Sequence, residues 1–193
     1  MTKESFSLIP FHAPEIPNIS ITGEISLQNH IVTLDYSLSG KTEEVFLPST
    51  STDPSRKDDL WKTTCFEFFL AIKDQPQYWE FNMSPSGNWN VYRMEAYRRI
   101  GFREEMSIQR LPFEVWNESS TFHLKVLVDL HPIFQPNQSL EFGIAAVIQT
   151  TDRNETYWAL LHPAPSADFH LRESFILALA EQAHLSQQSA PGG

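Results

Sequence analysis

Apolar and polar residues alternate one by one through most of this chain, and long stretches with a 3.6-residue period are scarce. Successive side chains on a strand point to opposite faces, so such alternation marks half-buried β-structure. Val32, Leu34, Tyr36 and Leu38 alternate with Thr33, Asp35, Ser37 and Ser39. Ile19, Ile21, Ile25 and Leu27 share one parity before Gln28-Asn29-His30, which predicts a hairpin. Phe66, Phe68, Leu70 and Ile72 alternate next, Asp74-Gln75-Pro76-Gln77 forms a turn, and Tyr78 to Ser84 returns. A second turn, Ser84-Pro85-Ser86-Gly87-Asn88, leads to a third strand from Trp89 to Met94. Further strands are read at Phe122–Val128, Leu140–Ile148, Tyr157–Leu161 and Phe175–Leu179.

Many short strands with few helices predict an all-β, single-domain antiparallel β-sandwich. The domain is expected over residues 1–181. Pro10, Pro14 and Pro17 punctuate an arm (1–17) that is expected to drape over a sheet edge, and 182–193 is polar and expected to be flexible. A chain of 193 residues suits one all-β unit. Cys65 is the single cysteine, so no disulfide framework exists. Met1 to Ser5 leads into only a short apolar patch, so no export signal is read and a cytoplasmic location is expected. No apolar run is long enough for a membrane helix. The net charge of −10 repels a polyanion over most of the surface, which argues against nucleic acid.

The meander from residue 64 to 94 allows faces to be assigned. Phe66, Phe68, Leu70 and Ile72 point to the core, as do Trp79, Phe81 and Met83. Residues opposite one another across a strand pair share a face. The other face therefore carries Cys65, Glu67, Phe69 and Ala71 beside Tyr78, Glu80, Asn82 and Ser84. Two carboxylates would be costly on a face fully buried against another sheet. The mixture suits a concave, partly covered surface that meets a polar ligand, the alternative being an outer face with ordinary polar alternation.

Aromatic rings stack on the C–H faces of a sugar, while amides, carboxylates and guanidinium groups bond its hydroxyls. Trp61, Trp89 with Tyr92, and Trp158 are candidates for the rings, each with a core position as the alternative. The Pro-rich segment from His162 to Arg172 places His162, His170 and Arg172 in one connector, where either ligand contacts or hydrogen bonds pinning the loop would use them. Arg98 belongs to a cluster with Arg93, Arg99 and Arg103 that would hold one carboxylate or phosphate, or pair with Glu95, Glu104 and Glu105 as a solvated rim. The candidate ligand-binding set is thus Trp61, Glu67, Asn82, Trp89, Tyr92, Arg98, Trp158, His162, His170 and Arg172, with no metal ligands and no catalytic residue assigned.

Leu60-Trp61-Lys62-Thr63-Thr64-Cys65-Phe66-Glu67-Phe68-Phe69, Tyr78-Trp79-Glu80-Phe81-Asn82-Met83-Ser84-Pro85-Ser86-Gly87-Asn88-Trp89 and His162-Pro163…Asp168-Phe169-His170…Arg172-Glu173-Ser174-Phe175 follow in order along the chain. These segments resemble the signatures of DOMON-like proteins related to the type 9 carbohydrate-binding module. The resemblance implies a β-sandwich of roughly ten strands. Relatives bind sugars or haem, and in the sugar-binding ones two Trp rings sandwich a terminal sugar. Trp61 and Trp158 are the candidates for that pair. Some relatives hold structural calcium, but no dense acidic loop is present here, and no cofactor is expected.

The reading that follows is a non-enzymatic module for a saccharide or similar polar metabolite. Haem-mediated electron transfer is the alternative, with Met83 and His162 or His170 as axial ligands. A protein-interaction role is a further alternative, as is a hydrolase using Glu67 and Glu80. Glycosidases need carboxyl groups roughly 5–5.5 or 6.5–9.5 Å apart. A hairpin centred on residues 74–77 sets Glu67 opposite Ser84 and Glu80 about four rungs away, roughly 13 Å, which disfavours the pair.

Overall fold

The computed structural model describes residues 2–97, 103–135 and 138–180. In chain order the strands are β1 (Thr2–Ser7), β2 (Ile9–Pro10), β3 (Ile19–Gln28), β4 (Ile31–Gly40), β5 (Cys65–Ile72), β6 (Tyr78–Met83) and β7 (Trp89–Met94). They continue with β8 (Arg103–Glu104), β9 (Phe113–Glu118), β10 (Thr121–Asp129), β11 (Ser139–Gln149), β12 (Glu155–Ala159) and β13 (Leu177–Ala180).

Two antiparallel sheets face one another. One runs β1-β3-β4-β10-β9; the other runs β2-β12-β11-β5-β6-β7-β8, with β13 also paired to β11. The alternation in β3, β4 and β10 is what makes the first sheet one-sided. Val32, Leu34, Tyr36 and Leu38 are buried, and so are Phe122, Leu124, Val126 and Val128. Their neighbours in the sequence stay partly or wholly exposed. The second sheet supplies Phe66, Phe68, Leu70, Trp79, Phe81, Met83, Phe142 and Ile144 to the same core. Phe68 and Phe81 stack at 4.2 Å between ring centroids. Each such fully buried side chain contributes about 1.5–3 kcal/mol.

The arm forms structure at both edges. Its first strand pairs with β3, and Ile9–Pro10 pairs with Trp158 and Ala159 of β12. Pro10 is tolerated because this is an outermost strand, where a missing N–H breaks no ladder. Three features escaped the periodicity. Phe113–Glu118 is a strand at the edge of the first sheet, Arg103–Glu104 adds a short edge to the second, and Phe175 stands outside any strand. The expected tail (182–193) lies outside the described residues. Among the described residues, no helix is long and apolar enough to cross a membrane.

Candidate functional site

Strands β5, β6 and β7 are buried on both faces, and only one face belongs to the sandwich core. Glu67 pairs with Asn82 and Asn82 with Asn90; Phe69 pairs with Glu80 and Glu80 with Tyr92. These residues form two neighbouring rows on the second face, as the parity predicted. A segment running from Leu161 to Phe175 covers part of that face. Phe175 and Phe169 pack on Phe69 at ring distances of 5.6 and 6.4 Å. The Phe175 ring lies so close to Gly143 that a Cβ there would meet it at 2.8 Å. The cover is incomplete and leaves a hollow of about 460 Å³, toward the lower end of the roughly 300–1,000 Å³ common for small-ligand sites.

Glu67, Glu80, Met94, Val147 and Tyr157 line the hollow from the sheet, Trp61 from the preceding loop, and Ala167, Asp168, Phe169 and His170 from the cover. Trp61 is positioned by a 3-10 turn, Leu60–Lys62, entered through Asp59 at a left-handed φ of 63°. Asp tolerates that region better than most residues. The adjacent Asp58 ties the loop down: its Oδ1 accepts from Tyr92 Oη at 2.6 Å and from Asn90 Nδ2 at 3.2 Å. Tyr92 in turn sets its ring edge against Trp61 at 5.9 Å.

The polar groups are organised from the opposite side. Tyr78 Oη and His170 Nδ1 share a hydrogen bond of 2.9 Å. That contact brings His170 Nε2 to 3.9 Å from Glu80 Oε2. Asn82 Nδ2 donates to Glu80 Oε1 at 2.8 Å. Asp168 accepts from Tyr97 Oη at 2.7 Å and, through its other oxygen, from the His170 backbone N–H at 3.0 Å. Glu67 is 3% exposed, and its Oε1 has no hydrogen-bond partner. Burial first, and the neighbouring Glu80 charge second, hold its carboxyl well above the usual range, with only the Cys65 thiol opposing them. Burial likewise raises Cys65 itself, which suits inert packing more than nucleophilic use.

Of the residues singled out from sequence, Trp61, Glu67 and His170 line the hollow. Asn82 and Tyr92 sit on the same face and support it. The others are corrected. Trp158 pairs with Ala146, whose parity is that of the core, and its Nε1 donates to Thr156 Oγ1 at 3.0 Å. It is the neighbouring Tyr157, paired with Val147, that reaches the hollow. Trp61 and Trp158 therefore stand on opposite sides of the sheet and cannot sandwich one ring. Trp89 pairs with Met83 on the core face and carries the Arg56 guanidinium 4.4 Å above its ring. That guanidinium also donates to Asn90 Oδ1 and to the carbonyls of Val91, Glu105 and Ile108, pinning the loop over the sheet edge.

His162 Nε2 donates to the Ile9 carbonyl at 3.0 Å, fastening the cover to the arm. Arg172 binds Glu141 and lies 5.0 Å over the Phe175 ring. These two pin the loop and do not line the hollow. Arg98 lies outside the described residues; of its cluster, Arg93 pairs with Glu95 at 3.2 Å. Met83 is buried on the core face whereas His170 stands over the other, so they cannot ligate one haem iron.

The exclusion of Glu67 with Glu80 also fails. The hairpin pairs Ala71 with Tyr78, two residues out of the expected register, so Glu80 is a diagonal neighbour of Glu67 rather than four rungs away. Asp168 and Phe169 could have been found from the loop already singled out; Met94, Val147 and Ala167 carried no such signal.

No family model matches this chain, and no curated protein matches it. Solved structures do. A Bacteroides uniformis protein to which carbohydrate binding is ascribed is similar with a TM-score of 0.68 at 12% identity, over 89% of this chain and 84% of that one. A family 9 carbohydrate-binding module from Caldicellulosiruptor kristjanssonii, in complex with cellotriose, is similar with a TM-score of 0.51 at 10% identity, over 84% of this chain and 74% of that one. At such identities the likeness establishes the fold, a β-sandwich of the family 9 module type, and leaves the site to be argued from its own residues.

Proposed function

We propose that the hollow binds a small saccharide, or a metabolite hydroxylated like one. One observation carries the reading: the polar second face of β5–β7 is roofed only in part, so rings and hydrogen-bonding groups converge on a half-open hollow. Trp61, Tyr157 and Phe169 offer flat apolar surface for the C–H faces of a sugar. Glu67, Glu80, Asp168 and His170 offer acceptors and donors at fixed positions for its hydroxyls. The likeness in fold to two proteins described as carbohydrate-binding supports the same ligand class. The volume suits one or two sugar rings better than a long chain.

Titration with neutral mono- and disaccharides, glucose and cellobiose among them, tests this by calorimetry and by melting temperature. Binding to the native state stabilises it by RT ln(1 + L/Kd), with L the free ligand concentration, so the melting temperature rises with the logarithm of ligand concentration above Kd. The expected result is a saturable heat with a matching rise for at least one sugar. Absence of both across the panel at millimolar sugar overturns the reading.

A further inference from the structure

We infer that the hollow also interconverts the two anomers of a reducing sugar, with Glu67 and Glu80 exchanging protons with the ring oxygen and the anomeric hydroxyl. The inference rests on the saccharide reading above and adds a reaction to it.

The geometry favours this step over glycoside hydrolysis. In hydrolysis two carboxyl groups flank the scissile bond, one protonating the leaving oxygen and the other serving the attack at the anomeric carbon. Here both rise from a single floor, on adjoining strands, as diagonal neighbours whose Cα atoms are about 7–8 Å apart. A pair on one floor addresses two atoms on the same side of a ligand. In a reducing sugar the ring oxygen and the anomeric hydroxyl are bonded to the same carbon, so one floor reaches both.

The two carboxyl groups also differ in what surrounds them. Glu67 stands between Ala145 and Asn82 across the strands, beside Cys65, with one oxygen lacking any hydrogen-bond partner. Burial keeps it protonated beyond the usual range of a carboxyl group, which suits a proton donor. Glu80 accepts from the Asn82 amide and faces the His170 imidazole, itself held by Tyr78. Those contacts suit a proton acceptor.

In the forward step Glu80 takes the proton of the anomeric hydroxyl. The electron pair of that O–H becomes the second bond of a carbonyl, the bond from the anomeric carbon to the ring oxygen breaks, and the ring oxygen takes the proton of Glu67. The open-chain aldehyde rotates about its C1–C2 bond. The reverse transfers close the ring on the other face, restoring both carboxyl groups. Nothing is oxidised or reduced, and no co-reactant is consumed.

The test follows anomer exchange in ¹³C-labelled glucose, galactose and xylose by NMR in a weakly catalytic buffer, with the full chain added in steps. The expected result is an exchange rate that rises with protein concentration and saturates in sugar. A methyl glycoside, which binds but cannot open, should suppress it. Glu67→Gln and Glu80→Gln, both of nearly native shape, should each lower the protein-dependent rate by about 100-fold or more, the range for loss of an acid or base. Melting curves check that both variants are folded. Suppression by the methyl glycoside needs no variant at all.

A sugar that binds without any gain in exchange overturns the inference and leaves the binding reading standing. Exchange unaffected by both variants overturns the assignment to this pair. Absence of binding to every sugar overturns the underlying reading itself.

Discussion

The same three strands, β5, β6 and β7, present two faces, and both are buried. On one, Phe66, Phe68, Trp79, Phe81 and Val91 close against a second sheet whose own alternation supplies the complementary surface. On the other, Glu67, Asn82, Glu80, Asn90 and Tyr92 lie beneath a segment of irregular backbone, backed by a small apolar cluster of Phe69, Tyr78, Met94 and Phe175. A sheet covers its partner evenly and leaves no room. A loop covers in patches, and the gap it leaves is the hollow. Polar side chains survive on that face because most are tied to one another, with Glu67 the exception whose Oε1 is unsatisfied.

The sharpest contrast between the faces comes from the core side. Phe81→Ala should cost about 3–5 kcal/mol in chemical denaturation, because its stack on Phe68 is fully enclosed and cannot collapse. A cost under about 1 kcal/mol would mean that the two faces are packed alike. On the hollow side, Trp61→Ala should weaken saccharide binding by about tenfold or more, which is about 1.4 kcal/mol, while the melting temperature barely moves. A large loss of stability with unchanged affinity would assign Trp61 to the core instead.

Glu67→Gln distinguishes the faces by pH. The folded chain holds this carboxyl above its unfolded value near 4.5, so folding takes up protons as pH rises past that point. The native protein should lose stability from there upward until the folded value is passed, with the Glu80 carboxyl and the Cys65 thiol as the titratable groups facing Glu67. The glutamine variant should lack that component and gain on the order of 1 kcal/mol at alkaline pH. Equal pH slopes in the two proteins would show that Glu67 is not held protonated. The smallest expected effect is that of Tyr92→Phe, which removes the hydroxyl bonded to Asp58 and should cost about 0.5–1.5 kcal/mol. A fall in affinity alongside it would show that Asp58 and Tyr92 keep Trp61 in place.

Much of this was legible in the residues. Parity placed Glu67 and Asn82 on one face and Met83 on the other, and the structure has them so. Parity also held for Trp79, whose indole N–H leaves the core only to donate to Glu105. Residue type misled where parity was not available. Residue type alone points to Trp158 as an aromatic ring for the ligand, but the five residues between Gln149 and Glu155 set its parity to that of Ala146, and Tyr157 has the position instead. Arg172 and His162 have side chains whose chemistry suits a polar ligand, and they use it to hold the loop.

Alternation by itself determined that the chain forms a sandwich of antiparallel strands, which residues of β3, β4, β5, β6 and β10 turn to the core between the sheets, and that the meander keeps its acids and amides on a common face. The register of the Glu67 hairpin, and with it the closeness of Glu67 to Glu80, was decided only in three dimensions. The physical reason lies in the pleat: a slip of two residues returns every side chain to the face it had, so the pattern cannot sense it, yet it moves an opposite residue by about 7 Å. What roofs the second face was decided there too, because irregular backbone carries no period and is placed by long-range contacts such as Phe175 on Gly143 and His170 on Tyr78.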